Sequence, residues 1–213
     1  MQVMITGANR GIGLALADLY RADGVGVIAT ERTVAAEHRL DVTKASDFAD
    51  LANRLSGQPI DLLVCNAGVY LDRGQQIANG YAAELWAETF AANVTGVFLT
   101  VQAMLPNVRA ANGKIAIISS QMASHERAPG GSYIYRSSKA AALNLGRNLA
   151  TDLSAEGTAV GIYHPGWVRT DMGGASADVS VEDAAAGLKD RFTKLSMATT
   201  GCFETWDGRA HPY

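Results

Sequence analysis

Short apolar runs alternate along the chain with longer segments in which apolar residues recur every three or four positions. The clearest helical segment follows the first apolar run, where Ile12, Leu16, Leu19 and Tyr20 fall on one face of a helix that Gly24 ends. The run from Ile60 to Cys65 is apolar except for Asp61, which is typical of a strand covered on both sides. This alternation predicts parallel strands joined by crossover helices.

The whole pattern predicts an α/β fold in which one domain, residues 1–213, forms a doubly wound, Rossmann-like parallel sheet with helices on both faces. About seven strands are predicted: Gln2–Thr6, Gly26–Thr30, Arg39–Val42, Ile60–Cys65, Lys114–Ser119, Ala159–Tyr163 and Gly201–Glu204. Besides the first helix, the predicted helices are Ala45–Leu55, Ala83–Met104 with Pro106 just beyond its end, Tyr133–Glu156, and a helix that Ser180 and Asp183 cap and that runs to about Leu195.

Composition narrows the classes of protein. The 213 residues are 48% hydrophobic and 18% charged, with a formal net charge of −3 and no basic face, so we expect a globular protein without a nucleic-acid partner. Two cysteines, Cys65 and Cys202, give no disulfide framework, which favours a reducing compartment. No apolar stretch approaches the ~20 residues that span a bilayer, and the chain opens directly on a strand. We therefore expect a cytoplasmic protein with no membrane partner and no metal.

A glycine-rich turn joins the first strand to the first helix. Gly7, Gly11 and Gly13 in TGANRGIG have the spacing GxxxGxG. Glycines let a backbone turn tightly and approach a pyrophosphate, whose charge the helix N-terminus then favours. A turn without a ligand is the alternative, but the strand before it and the amphipathic helix after it favour a dinucleotide site.

The end of the second strand bears on the choice between NAD and NADP. Glu31 would accept hydrogen bonds from the ribose hydroxyls of NAD, whereas Arg32, with Arg10 in the glycine turn, would attract the 2′-phosphate of NADP. An ordinary solvated loop is the alternative for both residues. The two signals conflict, and the choice stays open at this point.

Tyr135 and Lys139 lie four residues apart in YRSSK, on one face of a predicted helix. A tyrosine has an ordinary pKa of ~10, and a nearby ammonium favours its phenolate; a reduction by about 3 units requires ~4 kcal/mol. The phenol would then exchange a proton with a carbonyl or alcohol oxygen, to which Ser120 at a strand end would also hydrogen-bond. A surface tyrosine and lysine are the alternative, but the order of glycine turn, NAG, serine-ended strand and YxxxK favours a catalytic site.

These motifs resemble the short-chain dehydrogenase/reductase family, and more narrowly its C-factor-like bacterial branch, over nearly the whole chain. The segments TGANRGIG, LDVT, CNAG, FAANVTG, SSQMAS, YRSSK and HPGWVRTDMGG carry the resemblance. It implies a catalytic set of Asn93, Ser120, Tyr135 and Lys139, with Asn93 holding a water that links the lysine to solvent. Cys65 stands where the family has its first asparagine of NNAG. The implied cofactor contacts, together with Glu31 and Arg32, are Gly7, Asn9, Arg10, Gly11, Ile12, Gly13, Asp41, Val42, Asn66, Ala67, Gly68, Tyr135, Lys139, Pro165, Gly166, Val168 and Thr170.

The resemblance also implies a substrate lid near residues 170–195 and a homodimer or homotetramer. We expect the substrate pocket to be lined by Tyr70, Met122, Tyr133, Trp167 and Met172, which favours an apolar substrate, although core packing is the alternative for each of them. The expected activity is hydride transfer between NAD or NADP and a carbonyl or alcohol. A dinucleotide-bound signalling protein with little turnover is the first alternative, and an epimerase or dehydratase is the second.

Overall fold

The computed structural model describes residues 1–33 and 36–213, and its centre is a seven-stranded sheet. The strands are β1 (Gln2–Thr6), β2 (Gly26–Glu31), β3 (His38–Arg39), β4 (Leu62–Cys65), β5 (Lys114–Ile118), β6 (Val160–His164) and β7 (Phe203–Thr205). All of them pair in parallel, in the order β3-β2-β1-β4-β5-β6-β7. This confirms the predicted doubly wound parallel sheet. The chain reverses direction across the sheet between β1 and β4, and ligands bind at such switch points.

Helices cover both faces of the sheet. They are α1 (Gly11–Ala22), α2 (Ala45–Arg54), α3 (Ala83–Phe90), α4 (Gly96–Ala110), α5 (Tyr133–Ser154) and α6 (Val181–Lys194). Side chains alternate along β4, so that Leu62 and Val64 join the core under α1 and α6. Leu63 and Cys65 point the other way, into the core under α2, α4 and α5. Every strand side chain of β4 is therefore buried, as its continuous apolar sequence predicts.

The predicted helix Ala83–Met104 is wrong in two respects. A π-helical turn, Ala91–Thr95, separates α3 from α4, and α4 continues to Ala110 with Pro106 inside it. Proline removes one helical hydrogen bond, but tertiary contacts of the next residue hold the last turn. The Asn107 side-chain amide donates to the carbonyls of Leu55 and Gln58 at 2.6 and 2.8 Å.

The helical stretch Ala83–Ala110 is also long and apolar enough, by length and composition, to cross a membrane. The expectation that no such stretch exists is therefore wrong on those two criteria. In this fold the stretch packs on the sheet, with Val97, Val101 and Met104 buried in the core. A buried core helix meets the same criteria as a spanning helix.

The region predicted as a lid, residues 170–195, has two parts. Its second part is α6, whose Ala185, Leu188 and Phe192 are buried in the core shared with α1, so it forms a layer of the fold. The predicted cap is present: the Asp183 N–H donates to the Ser180 hydroxyl at 3.0 Å. Only the loop before α6 lies over the carboxyl ends of the strands.

Candidate active site

The glycine turn lies at the carboxyl end of β1, beside the end of β4. Gly7 and Gly11 have φ angles of +65° and +53°, a region that favours glycine. A Cβ on Gly13 would stand 2.4 Å from the Gly7 carbonyl oxygen and 2.5 Å from the Asn66 amide nitrogen. The three glycines are thus required by the close approach of the turn to its own helix and to the next strand.

Asn66 fastens this turn to β4. Its side-chain amide donates to the carbonyls of Thr6 and Gly7 at 2.9 and 3.1 Å. The Thr6 hydroxyl accepts in return from the backbone N–H groups of Asn66 and Ala67, both at 3.0 Å. Cys65 lies just behind, buried in the core, and its burial raises the pKa of the thiol to about 12. The substituted cysteine therefore acts as a small neutral core residue and leaves the Asn66 contacts intact.

A cleft of about 890 Å³ opens above these residues. Its backbone cradle and the N-terminus of α1 suit a pyrophosphate, and its size suits an extended ligand. Among the residues predicted for the cofactor, Gly166 and Val168 line an adjoining cavity. The others line the cleft itself: Gly7, Asn9, Arg10, Gly11, Ile12, Gly13, Glu31, Arg32, Asp41, Val42, Asn66, Ala67, Gly68, Tyr135, Lys139, Pro165 and Thr170.

The far end of the cleft carries both signs of charge. The Glu31 carboxylate accepts from the Thr33 hydroxyl at 3.1 Å, while Arg32 forms no ion pair with the part of the chain that the structure describes. Burial tends to raise the pKa of Asp41, but hydrogen bonds from Thr43 and the charges of Lys44 and Arg32 lower it below its ordinary value. Arg10 turns toward the loop over the cleft and forms an ion pair with Asp171.

Tyr135 and Lys139 meet at the near end, as their spacing on α5 predicts. The Lys139 ammonium lies 5.7 Å from the centre of the Tyr135 ring and donates to the Ile118 carbonyl at 3.0 Å. Burial lowers the pKa of Lys139 to about 8 and raises the pKa of Tyr135 to about 12, although a hydrogen bond with Ser120 acts to lower the latter. Burial thus outweighs the lowering that the lysine was expected to produce, and the phenol holds its proton at neutral pH.

The ring of Tyr70 accounts for part of that burial. It stacks on Tyr135 with ring centres 4.3 Å apart. Its hydroxyl shares a hydrogen bond with Ser132 at the start of α5. Stacking covers one face of the phenol and leaves the other side toward Ser120 and the cleft.

Asn93 lies in the π turn, where its side chain faces inward. Its amide oxygen accepts from the Val69 N–H at 2.8 Å, and its amide nitrogen donates to the Val69 carbonyl at 2.9 Å. A Cβ on Gly68 would lie 3.0 Å from the Asn93 oxygen and 3.4 Å from the Lys139 nitrogen. The lack of a side chain at Gly68 therefore lets Asn93 and Lys139 approach the same point.

Asp72 is a functional residue that the sequence analysis missed. It is fully buried, and its carboxylate accepts from the backbone N–H groups of Ile134 and Tyr135 at 2.9 and 3.2 Å. A carboxylate at a helix N-terminus satisfies unpaired donors and favours the helix dipole. Asp72 thereby fixes the first turn of α5, which carries Tyr135. It lies 62 residues before that helix, so no local pattern connects the two.

A second cavity of about 510 Å³ adjoins Tyr135 on the side away from the glycine turn. Of the residues predicted for the substrate pocket, it is lined by Tyr70, Met122, Trp167 and Met172. Tyr133 is different: it is 40% exposed, packs edge-on against Tyr81, and does not line either cavity. Tyr133 lies two residues before Tyr135, about 200° around the helix, so it points away from the cleft when Tyr135 points into it. Over the described residues, no cluster of three potential metal ligands occurs.

Comparisons with known proteins agree with this geometry. A family profile described as short chain dehydrogenase matches residues 1–179. C-signal of Myxococcus xanthus is 38% identical over 160 residues, which cover 73% of this chain and 93% of that protein. The 1-hydroxy-2-glutathionyl-2-methyl-3-butene dehydrogenase of Rhodococcus sp. (strain AD45) is 32% identical over an alignment of 223 positions, covering 97% and 96%.

Among solved structures, the NADPH-bound carbonyl reductase from chicken fatty liver matches with a TM-score of 0.88 at 29% identity, over 100% of this chain and 98% of that one. The profile match spans most of the chain, and two relatives exceed 30% identity over more than two thirds of it. The chain belongs to the short-chain dehydrogenase family, whose members are nicotinamide-dependent oxidoreductases.

Proposed function

We propose that this protein is an NADPH-dependent reductase of carbonyl compounds, with Tyr135 as the proton donor. One observation carries the proposal: the Tyr135 side chain stands where the dinucleotide cleft and the second cavity meet, lining both of them. A carbonyl group in the second cavity would reach that phenol and the dinucleotide cleft together. The NADPH-bound carbonyl reductase of similar structure supports the same reaction class.

NADPH bound in the cleft would supply the hydride that the carbonyl carbon accepts. Tyr135 gives its proton to the carbonyl oxygen, so that a ketone or aldehyde becomes an alcohol and the tyrosine becomes a phenolate. The Lys139 ammonium, 5.7 Å from the ring centre, stabilises that phenolate, and the Ser120 hydroxyl hydrogen-bonds to the reacting oxygen. A replacement proton then passes from solvent to the phenolate by way of Asn93 and Lys139, whose side chains both lie beside Gly68. In the reverse direction the phenolate takes the proton of an alcohol.

The choice of NADPH rests on Arg32. Its guanidinium lines the cleft without an ion-pair partner among the described residues, while the neighbouring Glu31 carboxylate is engaged by Thr33. We expect Arg32→Ala to weaken NADPH binding more than NADH binding, measured as dissociation constants by fluorescence titration. Equal effects on the two cofactors would show that Arg32 does not contact the 2′-phosphate.

A screen of aldehydes, ketones and quinones with NADPH and NADH tests the reaction, with Tyr135→Phe beside the natural protein. The Phe variant keeps the ring that stacks on Tyr70 and removes only the hydroxyl. We expect it to bind the cofactor normally and to lose at least ~100-fold in kcat. Turnover that survives this substitution would remove Tyr135 from its assigned role.

A dinucleotide-bound signalling role is the second candidate function. The similarity to C-signal of Myxococcus xanthus is the observation that favours it. The two functions differ in one measurement, because a signalling protein would bind the dinucleotide tightly and reduce no compound in the screen. The presence of Asn93, Ser120, Tyr135 and Lys139 together around one cleft supports the enzyme.

A further inference from the structure

The second cavity carries an unusual balance of charge. Two of the residues that line it, Arg73 and Arg136, are cationic at every pH of interest. Among the described residues that line this cavity, none is Asp or Glu. The cofactor cleft next to it differs, since Glu31, Asp41, Glu88 and Asp171 all contribute to its wall. In that cleft these four carboxylates are matched in number by Arg10, Arg32, Lys139 and Arg169, whereas the positive charge of the second cavity is unmatched.

The nearby carboxylates do not neutralise these arginines. Asp72 directs its carboxylate to the backbone N–H groups of α5, and Asp171 pairs with Arg10. Within the described part of the chain, neither Arg73 nor Arg136 takes part in an ion pair. Two guanidinium groups at one cavity repel each other, so their arrangement favours an anion between them.

Both side chains are held in place and still have donors to spare. Arg73 donates to the Met172 carbonyl and lies over the Tyr70 ring, with its guanidinium carbon 5.0 Å from the ring centre. The Arg136 Nε–H donates to the Gly131 carbonyl at 3.1 Å. A guanidinium has five N–H donors, so each group retains several for a ligand. Such a fixed planar fork suits a carboxylate, which it can bind with two parallel hydrogen bonds.

The position of Arg73 relates this charge to the reacting group. Its guanidinium stacks on Tyr70, and Tyr70 stacks in turn on Tyr135 at 4.3 Å. The cationic end of the cavity thus lies about one aromatic ring from the phenol, and the apolar Met122 and Trp167 also line the cavity. We propose that the substrate is a carbonyl compound that also carries a carboxylate, held by Arg73 and Arg136, with an apolar spacer between the two groups. This inference rests on the proposed function, and it adds an anionic group to the apolar substrate that the sequence predicts.

A matched pair of aldehydes tests it. The probe is para-carboxybenzaldehyde, which is ionised at pH 7, and its neutral partner is methyl para-formylbenzoate. With NADPH at low salt, we expect kcat/KM for the acid to exceed that for the ester by about tenfold, and added salt to reduce this ratio several-fold. Arg136→Gln and Arg73→Gln should each lower the ratio by about fivefold. Arg136→Lys, which keeps the positive charge, should retain most of the preference for the acid over the ester.

Arg21→Gln is the control, because Arg21 is exposed in the last turn of α1 and, among residues 1–33 and 36–213, pairs only with Asp18. It should leave the ratio unchanged. A ratio near one for the natural protein, or an acid-to-ester ratio that neither glutamine variant lowers, would overturn the anion site. The acid-to-ester ratio and its salt dependence are also measured for the natural protein, so the test does not depend on the folding of any variant.

Binding of terephthalate, which has two carboxylates and no carbonyl to reduce, separates this inference from the reaction. We expect it to bind in the presence of NADP⁺, measured by calorimetry, and to bind at least about fivefold more weakly to Arg136→Gln. If neither aldehyde is reduced but terephthalate binds in this way, the proposed function fails and the anion site stands. If both aldehydes are reduced equally and terephthalate does not bind, the anion site fails and the reductase stands.

Discussion

Asp72 offers the sharpest test of how the fold positions Tyr135, the proposed proton donor. Its carboxylate is fully buried and accepts from two N–H groups in the first turn of α5, those of Ile134 and Tyr135. Asp72→Ala removes the acceptor from both donors at once. Asp72→Asn keeps one acceptor oxygen but loses the charge that faces the helix N-terminus.

The size of the effect follows from these contacts. A buried donor that loses its partner costs about 1–3 kcal/mol, and the lost interaction with the helix N-terminus adds up to about 1 kcal/mol. We expect Asp72→Ala to lower the free energy of unfolding by about 3 kcal/mol, and Asp72→Asn by about 1 kcal/mol. For a chain of this length, each kcal/mol lowers Tm by about 2–4 °C, so the alanine variant should melt about 6–12 °C lower.

Thermal unfolding followed by circular dichroism measures the loss, with Asp183→Ala as the matched control. Asp183 also lies in the first turn of a helix, but it is exposed there and exchanges hydrogen bonds with Ser180. Asp183→Ala should lower the free energy of unfolding by less than about 1 kcal/mol. We also expect Asp72→Ala to lower kcat by about tenfold with little change in NADPH affinity, because the glycine turn does not contact Asp72. A Tm for Asp72→Ala no lower than that of the control would refute the reasoning.

Three further predictions concern the site. Since burial lowers the pKa of Lys139 to about 8, kcat/KM for reduction should decline above that pH as the ammonium is lost. Lys139→Arg should remove this decline, and a flat pH profile of the natural protein from about pH 7 to 10 would contradict the prediction. Gly68→Ala places a methyl group 3.0 Å from the Asn93 oxygen and should reduce kcat by about tenfold in steady-state assays, a result that unchanged kcat would exclude. Burial lowers the pKa of His164 to about 3, whereas in the unfolded chain the imidazole binds a proton below about pH 6.5. The free energy of unfolding should therefore fall by about 2 kcal/mol between pH 6.5 and 5, and urea unfolding should show a smaller fall for His164→Gln.

The sequence predicted the features that depend on local signals. A strand as uniformly apolar as β4 can be predicted from its own sequence. The glycine turn is predicted from the strand before it, and the shared face of Tyr135 and Lys139 from the helix period. In the structure, the glycine turn, Tyr135 and Lys139 border one cleft. Local signals also give the cap of α6, whose two partners are three residues apart.

The features that the sequence left out depend on contacts between distant segments. Asp72 reaches α5 across 62 residues, and Arg73 reaches the loop at Met172 across 99. Pro106 was expected to follow a helix end, but the buried amide of Asn107 holds the turn around it. The pKa of Tyr135 depends on burial under Tyr70 more than on the lysine one turn away, and burial is a property of the assembled fold.

The π turn between α3 and α4 sets a limit on how far this protein can be stabilised by making its helices regular. A π turn holds one residue more than an α turn, and here that extra residue brings the Asn93 amide onto both backbone groups of Val69. Shortening it by one residue would give a straighter helix with better hydrogen bonds, but every side chain beyond it would rotate by about 100° relative to α3. The four remaining residues would gain in helical regularity and lose their hydrogen bonds to the loop that carries Gly68.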